Sequence, residues 1–309
     1  MRNFSWCRAL LASFLLTGCA SSQGFWDAHT HVSMYGAAVL DSLVRYHVVG
    51  IRDLGANKLD EILQWRDEIG SGRRKGPRIY TAGVILDGPK EDSSSRWILR
   101  TEADANHAVD SLAKRNVDFI KTHNGLAPNV YFAVLRAARA HHLKVASHLP
   151  RGIPAWIAAD SGASSIEHAA ESMMASPIYA GYATTFEEAA VWWKSAAGDS
   201  AVTRLRKSGV YFTPTLGFYA ANVNLPRDSS ARAQRRAALP MLVELTHMMF
   251  AAGVPIMAGS DIGSVRPDYR PGQSVLEEIA WLRKAGLSER DARDAASTNV
   301  KRWLGVRGP

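Results

Sequence analysis

The stretch GFWDAHTH, residues 24–31, is the first of eight short runs that decide the fold. The other seven, most of them rich in valine and isoleucine, are VVGIRDLG (48–55), PRIYTAGVIL (77–86), VDFIKTH (117–123), LKVASHLP (143–150), SSIEHAAE (164–171), GVYFTPTL (209–216) and GVPIMAGSD (253–261). Longer stretches with helical spacing lie between them, among them residues 57–70, 102–115, 129–142 and 239–253. Strand followed by helix, repeated in this way, predicts an α/β fold, the (β/α)8 TIM barrel.

Side chains that bind metal ions stand at the ends of five of these runs. His29 and His31 are two residues apart, so they leave the same face of a strand. The others follow in chain order: Lys121, His148, His168 and Asp261. Each alone has an ordinary explanation, as a core histidine, a snorkelling lysine or a helix cap. Because strand ends meet at one mouth of a parallel barrel, their joint position predicts a shared site.

These motifs carry a resemblance to a known family. DAHTH, GIRDLGA, GPRIYTAG, VDFIKTHNG, VASH, SIEHAAE, GVYFTPTL and PIMAGSDIG together resemble the amidohydrolase superfamily, in its imidazolonepropionase-like and Xaa-Pro dipeptidase-like branch, from about residue 25 to 305. The resemblance implies that His29, His31 and Asp261 hold one divalent metal ion and that His148 and His168 hold a second. It also implies that Lys121 is carbamylated by carbon dioxide and bridges the two ions.

The implied reaction is hydrolysis of a carbon–nitrogen bond in a small molecule, such as a dipeptide or an N-acyl amino acid. Imidazole and carboxylate ligands suit zinc first, with manganese, cobalt or iron as alternatives. A hydroxide bridging two ions is a nucleophile near neutral pH, and Asp261 would carry its proton to the leaving amine. Two alternatives stay open: a lactone, carbamate or phosphotriester hydrolase using the same metals, and a catalytically inactive barrel lipoprotein.

Other residues are weaker candidates for contact with the substrate. His123 shares a face with the metal-site lysine, and Tyr219 and Arg266, in loops after the seventh and eighth runs, could receive a substrate carboxylate. Trp192 and Trp193 either cover the pocket or pack in the core, and an apolar helix face favours the core. Two loops would set substrate choice: residues 86–100 and 217–230.

The first residues predict export. Residues 1–18 combine Arg2 and Arg8 with an apolar run too short to span a bilayer, which is typical of a signal peptide. LTGC at 16–19 resembles a bacterial lipobox, which implies lipidation of Cys19, a short tether over 19–24, and anchoring in the outer membrane facing the periplasm. The barrel domain would occupy residues 25–309, without the β-sandwich that most members of this branch carry.

Composition argues against a disulfide-stabilised protein and against a nucleic-acid-binding protein. With Cys7 in the leader and Cys19 lipidated, no disulfide framework is expected. The formal net charge is +8, and falls to +6 when Arg2 and Arg8 leave with the leader. The basic clusters at 71–78 and 231–236 lack the interleaved aromatic residues of a nucleic-acid surface, so they are interpreted as solvated faces and nucleic acid is not expected as a partner.

Overall fold

The computed structural model describes residues 24–56, 58–89, 95–225, 228–263 and 269–306, and all structural statements concern these residues. The signal peptide predicted over 1–18, the lipidation site predicted at Cys19 and the substrate contact predicted at Arg266 lie outside them. Among the described helices, none is both long and apolar enough to cross a bilayer.

Parallel strands form the centre of the fold. In chain order the strands are β1 (Phe25–Thr30), β2 (Val48–Asp53), β3 (Arg78–Thr81), β4 (Ile85–Asp87), β5 (Arg96–Ile98), β6 (Phe119–Thr122), β7 (Lys144–Ser147), β8 (Ser165–Glu167) and β9 (Tyr211–Thr213). One sheet has the order β1-β2-β3 and the other the order β5-β4-β6-β7-β8-β9. Each observed pairing is parallel, as the alternation of strands and helices predicts.

Backbone hydrogen bonds join the two sheets into a ring. On one side, the amide of Asp118, just before β6, donates to the carbonyl of Thr81 at the end of β3, over 2.9 Å. On the other side, residues 254–262 lie between β9 and β1, where the amide of Ala28 donates to the carbonyl of Ala258 over 2.8 Å. These bonds complete the barrel that the eight runs predict.

Two of the predicted strands differ in detail. The last run makes isolated pairs through Ile256 and Ile262 instead of a continuous ladder, and Pro255 has no N–H to donate there. The third run is divided into β3 and β4 by Gly83, which has a φ of 73°. The backbone angle is the reason for glycine here, and a Cβ would also lie 2.6 Å from the Cδ1 atom of Leu59, which would have to move.

Helices cover the outside of the ring. They are α1 (Ala38–Arg45), α2 (Leu59–Gly70), α3 (Glu102–Lys114), α4 (Pro128–Ala140), α5 (Ala155–Asp160), α6 (Ser176–Tyr179), α7 (Phe186–Trp193), α8 (Ala196–Ser208), α9 (Leu216–Asn222), α10 (Ser229–Ala251), α11 (Gln273–Lys284), α12 (Glu289–Ala295) and α13 (Thr298–Leu304). α10 begins at Ser229, before the predicted 239, with Pro240 inside the helix. α9 and β5 occupy segments predicted as loops, because both elements are short.

The amino end of the barrel is closed by α13. Trp303 packs edge-on against Phe119 at the start of β6, with ring centres 5.3 Å apart, and its indole N–H donates to the carbonyl of Ser164 before β8. The guanidinium of Arg52, from β2, lies 4.2 Å from the centre of the Trp303 ring. Because side chains fill the amino end, the carboxyl end of the strands is the open end of the barrel, where a functional site can form.

Candidate metal centre

Three metal-binding side chains meet at the carboxyl end of the barrel. The ligand atoms of His29, His31 and Asp261 all lie within 4.8 Å of one another. The Nε2 atoms of the two histidines are 3.3 and 3.6 Å from Asp261 Oδ1. Asp261 reaches this position because its own amide donates to the carbonyl of His29 over 2.7 Å. The donor set, two imidazoles and a carboxylate, fits a divalent transition metal.

Two further histidines continue this cluster. His148 follows β7 and His168 follows β8, and their ring centres lie 4.5 Å apart. The His168 ring is 4.7 Å from that of His29, and its Nδ1 is 3.6 Å from Asp261 Oδ2. One oxygen of Asp261 therefore faces the first pair of histidines while the other faces His168.

His168 and Asp261 are two of six described residues other than glycine that have a positive φ. His168 and Asp261 have φ values of 69° and 53°, in the left-handed region that favours glycine. Such a conformation costs about 1–3 kcal/mol for a residue with a side chain, and it persists where the surrounding structure enforces it. This conformation sets the direction in which each side chain leaves the barrel wall.

Lys121 places its amine beside the histidines. The residue belongs to β6, is 1 % exposed, and its Nζ has no hydrogen-bond partner among the described residues. Burial lowers the pKa of the Lys121 amine to about 8, against the opposing influence of Glu167 and Asp261. The orphaned Nε2 of His29 faces the same site. A buried amine with a lowered pKa is neutral more often than an exposed lysine, and only the neutral amine can add carbon dioxide.

Burial also keeps the imidazoles neutral. Burial, followed by the charge of Lys121, lowers the pKa of His31 to about 4. The same two causes hold the pKa of His29 well below its ordinary value, and burial with neighbouring His148 does so for His168. Neutral imidazole is the form that binds metal ions.

Hydrogen bonds orient three of these rings. The Nδ1 atom of His29 lies 2.8 Å from Glu167 Oε2, that of His31 lies 2.6 Å from the carbonyl of Gly55, and that of His168 lies 3.0 Å from Thr215 Oγ1. A partner on one ring nitrogen fixes the plane of the ring and the direction of the other nitrogen. In the first two histidines, Nε2 is thereby directed at Asp261.

The partner of His29 is itself part of a buried network that the sequence analysis missed. Arg52 donates from Nη2 to both oxygens of Glu167, over 2.9 and 3.1 Å, and the hydroxyl of Ser165 donates to Oε1 over 2.5 Å. Burial acts to raise the pKa of Glu167, but Arg52 and Lys121 bring it below its ordinary value. The signal in the sequence that could have revealed this network is the presence of one charged residue in each of two buried strands, Arg52 in β2 and Glu167 in β8.

A cavity of about 420 Å³ opens above these groups. Its lining includes His123, whose ring centre is 4.3 Å from that of His148, and Tyr219, which lies on α9. It also includes charged residues that the sequence analysis did not assign to a site: Arg96, Glu171 and Arg235. Arg235 belongs to the basic cluster interpreted as a solvated face, and it reaches the cavity because α10 begins earlier than predicted.

The tryptophan pair lies elsewhere. Trp193 is buried, and Trp192 stacks on Trp156 with ring centres 4.9 Å apart. Neither belongs to the described lining of the cavity, so the core interpretation is confirmed.

Two mycobacterial proteins are similar to this chain in sequence. An uncharacterized protein of Mycobacterium tuberculosis is 26% identical over 316 residues, which cover 92% of this chain and 74% of that protein. An uncharacterized protein of Mycobacterium bovis matches equally well. No protein-family model matches the sequence.

Solved structures are similar over nearly the whole chain. A Bifidobacterium longum protein assigned as a prolidase superposes with a TM-score of 0.72 at 22% identity, over 92% of this chain and 70% of that one. Bottromycin amidohydrolase gives a TM-score of 0.70 at 22% identity, over 93% and 68%. A Xaa-Pro dipeptidase with bound methionine gives 0.70 at 18% identity, over 92% and 75%. The chain therefore has the (β/α)8 barrel fold of amidohydrolase-type structures.

Proposed function

We propose that this protein is a metal-dependent amidohydrolase that hydrolyses a carbon–nitrogen bond in a small molecule. One observation carries the proposal: the ligand atoms of His29, His31 and Asp261 lie within 4.8 Å of one another, at a cavity that Lys121, His148 and His168 also line. The names of the similar solved structures, a prolidase, a Xaa-Pro dipeptidase and an amidohydrolase, support the choice of bond.

The donor set supports two divalent ions, with zinc as the first choice. His29, His31 and Asp261 would hold one ion, and His148 and His168 the other. Lys121, once carbamylated, would supply a carboxylate between them, and the orphaned Nζ supports this role. Bound ions would polarise the scissile carbonyl and lower the pKa of a water molecule.

The protein's own residues would then place the substrate and move protons. Asp261 lies between the two pairs of histidines, where its carboxylate can accept a proton from the attacking water and deliver it to the leaving nitrogen. His123 and Tyr219 line the cavity and can donate hydrogen bonds to a substrate carboxylate. Glu167 and Thr215 would keep the histidine rings in place during turnover.

Metal analysis followed by a substrate screen tests the proposal. Protein purified without chelators and with bicarbonate should contain about two transition-metal ions per chain, and Lys121→Ala should contain about one or none. Wild type should hydrolyse amides in preference to lactones, carbamates and phosphotriesters. Asp261→Asn should be inactive and folded. A folded protein that binds no metal would contradict the proposal and favour the inactive-barrel alternative, and full turnover by Asp261→Asn would refute the role of that carboxylate.

We also propose that the protein is anchored by lipid on Cys19 in the bacterial outer membrane, facing the periplasm. The lipobox-like sequence LTGC at 16–19 supports this location. β1 begins at Phe25, so the short tether would hold the amino end of the barrel toward the membrane and leave the cavity facing away.

A further inference from the structure

A second cavity, of about 540 Å³, adjoins the one above the histidines. Four residues line both: Ala170 and Glu171, from a π-helical turn that follows His168, Tyr219 from α9 and Arg235 from α10. The two spaces therefore meet along a shared wall. We call the second space the outer groove; its remaining lining residues are Ile178, Thr184, Thr185, Phe186, Glu187, Gln234 and Ala238.

The shared wall offers both an acceptor and a donor of hydrogen bonds. The hydroxyl of Tyr179 donates to the backbone carbonyl of Glu171 over 3.0 Å and fixes this turn. Surrounding protein atoms raise the pKa of the Glu171 carboxyl, although its surface stays accessible from the cavity, while Arg235 acts to lower it. A carboxylate and a guanidinium on one wall match the N–H and C=O of a peptide group that passes between them.

The less exposed part of the outer groove is apolar, whereas its exposed residues Thr184, Thr185, Glu187 and Gln234 are polar or charged. Phe186 and Ile178 are half-buried and pack on the hydrophobic core. The hydroxyl groups on the rim are already occupied: Thr184 donates to Glu188 over 2.6 Å, and Thr185 accepts the amide of Glu188 and caps α7. An apolar side chain of a ligand would therefore gain from contact with Ile178 and Phe186 beneath the polar rim.

We propose that the substrate is a peptide longer than a dipeptide, whose chain crosses between Glu171 and Arg235 and places an apolar side chain in the outer groove. This inference rests on the proposed amide hydrolysis and narrows it. The cavity above the histidines, of about 420 Å³, lies within the roughly 300–1,000 Å³ typical of small-molecule sites, so it can hold the scissile unit. The outer groove gives the rest of the chain a place outside that cavity.

Matched peptides test the inference. A dipeptide substrate is extended at either end by glycine or by leucine, and kcat/KM is measured for each peptide. At one end, the leucine peptide should exceed the glycine peptide by about tenfold, which corresponds to about 1.4 kcal/mol from partial burial of the side chain. Kd values for the same peptides with the Asp261→Asn variant, measured by calorimetry, should show the same preference without turnover.

Two variants on α10 distinguish the effect of filling the outer groove from the effect of adding a bulky side chain elsewhere on the helix. Gln234→Trp fills the outer groove and should remove the preference for leucine. Ala233→Trp is the matched control, because it adds the same side chain at an exposed position outside both cavities, and it should preserve the preference for leucine. Equal rates for leucine and glycine peptides, or a preference that survives Gln234→Trp, would overturn the inference while leaving amide hydrolysis intact. A metal-loaded protein that hydrolyses non-peptide amides but neither hydrolyses nor binds any peptide would overturn this inference alone, and one that hydrolyses no amide at all would overturn both proposals.

Discussion

Replacing Glu167 by glutamine should strongly destabilise the protein. Glu167 and Arg52 are both completely buried, and their ion pair is supported by a hydrogen bond from Ser165. Glu167→Gln keeps the shape of the side chain but leaves the guanidinium buried without a counter-charge. Breaking a buried pair in this way costs about 3–5 kcal/mol, a large part of the roughly 5–15 kcal/mol that stabilises a typical domain.

The measurement is urea denaturation of the purified, metal-free protein. Glu61→Gln is the matched control, because its partner Lys58 lies 3.3 Å away in an exposed pair, where the same change should cost at most about 1 kcal/mol. Adding Arg52→Met to Glu167→Gln should recover part of the loss, since no unpaired charge then remains. If Glu167→Gln were no more destabilising than Glu61→Gln, the proposed role of the network would be wrong.

Four further outcomes are expected. The folded pKa of His31 is about 4 against an ordinary 6.5, so the unfolded chain takes up the proton first; between pH 6.5 and 4 the free energy of unfolding of the metal-free wild type should therefore fall by about 3 kcal/mol more than that of His31→Asn. Lys121→Met should stay folded but lose the carbon dioxide adduct seen by mass spectrometry under bicarbonate. Thr215→Val removes the partner of His168, so competition with a chelator should show about 10–100-fold weaker metal binding. Cys19→Ser should release the protein from the membrane fraction.

The barrel and its six candidate ligands could be predicted because each strand is a local pattern and each ligand stands at its end. His29 and Asp261 are far apart in sequence, yet parallel strands in chain order bring them together without any further information. The segment around Asp261 pairs with its neighbours only at Ile256 and Ile262. Such isolated pairing could not be predicted, because it leaves little trace in local composition.

The supporting network and the second cavity could not be predicted in the same way. Arg52 and Glu167 were visible in the sequence, but which inward-facing charges meet inside a barrel depends on the stagger between strands that are not adjacent in the chain. The outer groove depends on where α10 begins. A proline is typical of the first turn of a helix, so Pro240 favoured a start at residue 239 instead of the observed Ser229. Long-range register and helix ends are the features that local patterns specify least.

The contact between Arg52 and Trp303 has a practical consequence for anyone preparing this protein. Trp303 lies near the carboxyl terminus, its ring touches Arg52, Arg52 holds Glu167, and Glu167 holds His29. A purification tag fused after α13 would therefore be only a few side chains away from the metal cluster, although it would be attached at the opposite end of the barrel. Metal stoichiometry should be measured on tag-free material before any departure from two ions is attributed to the site itself.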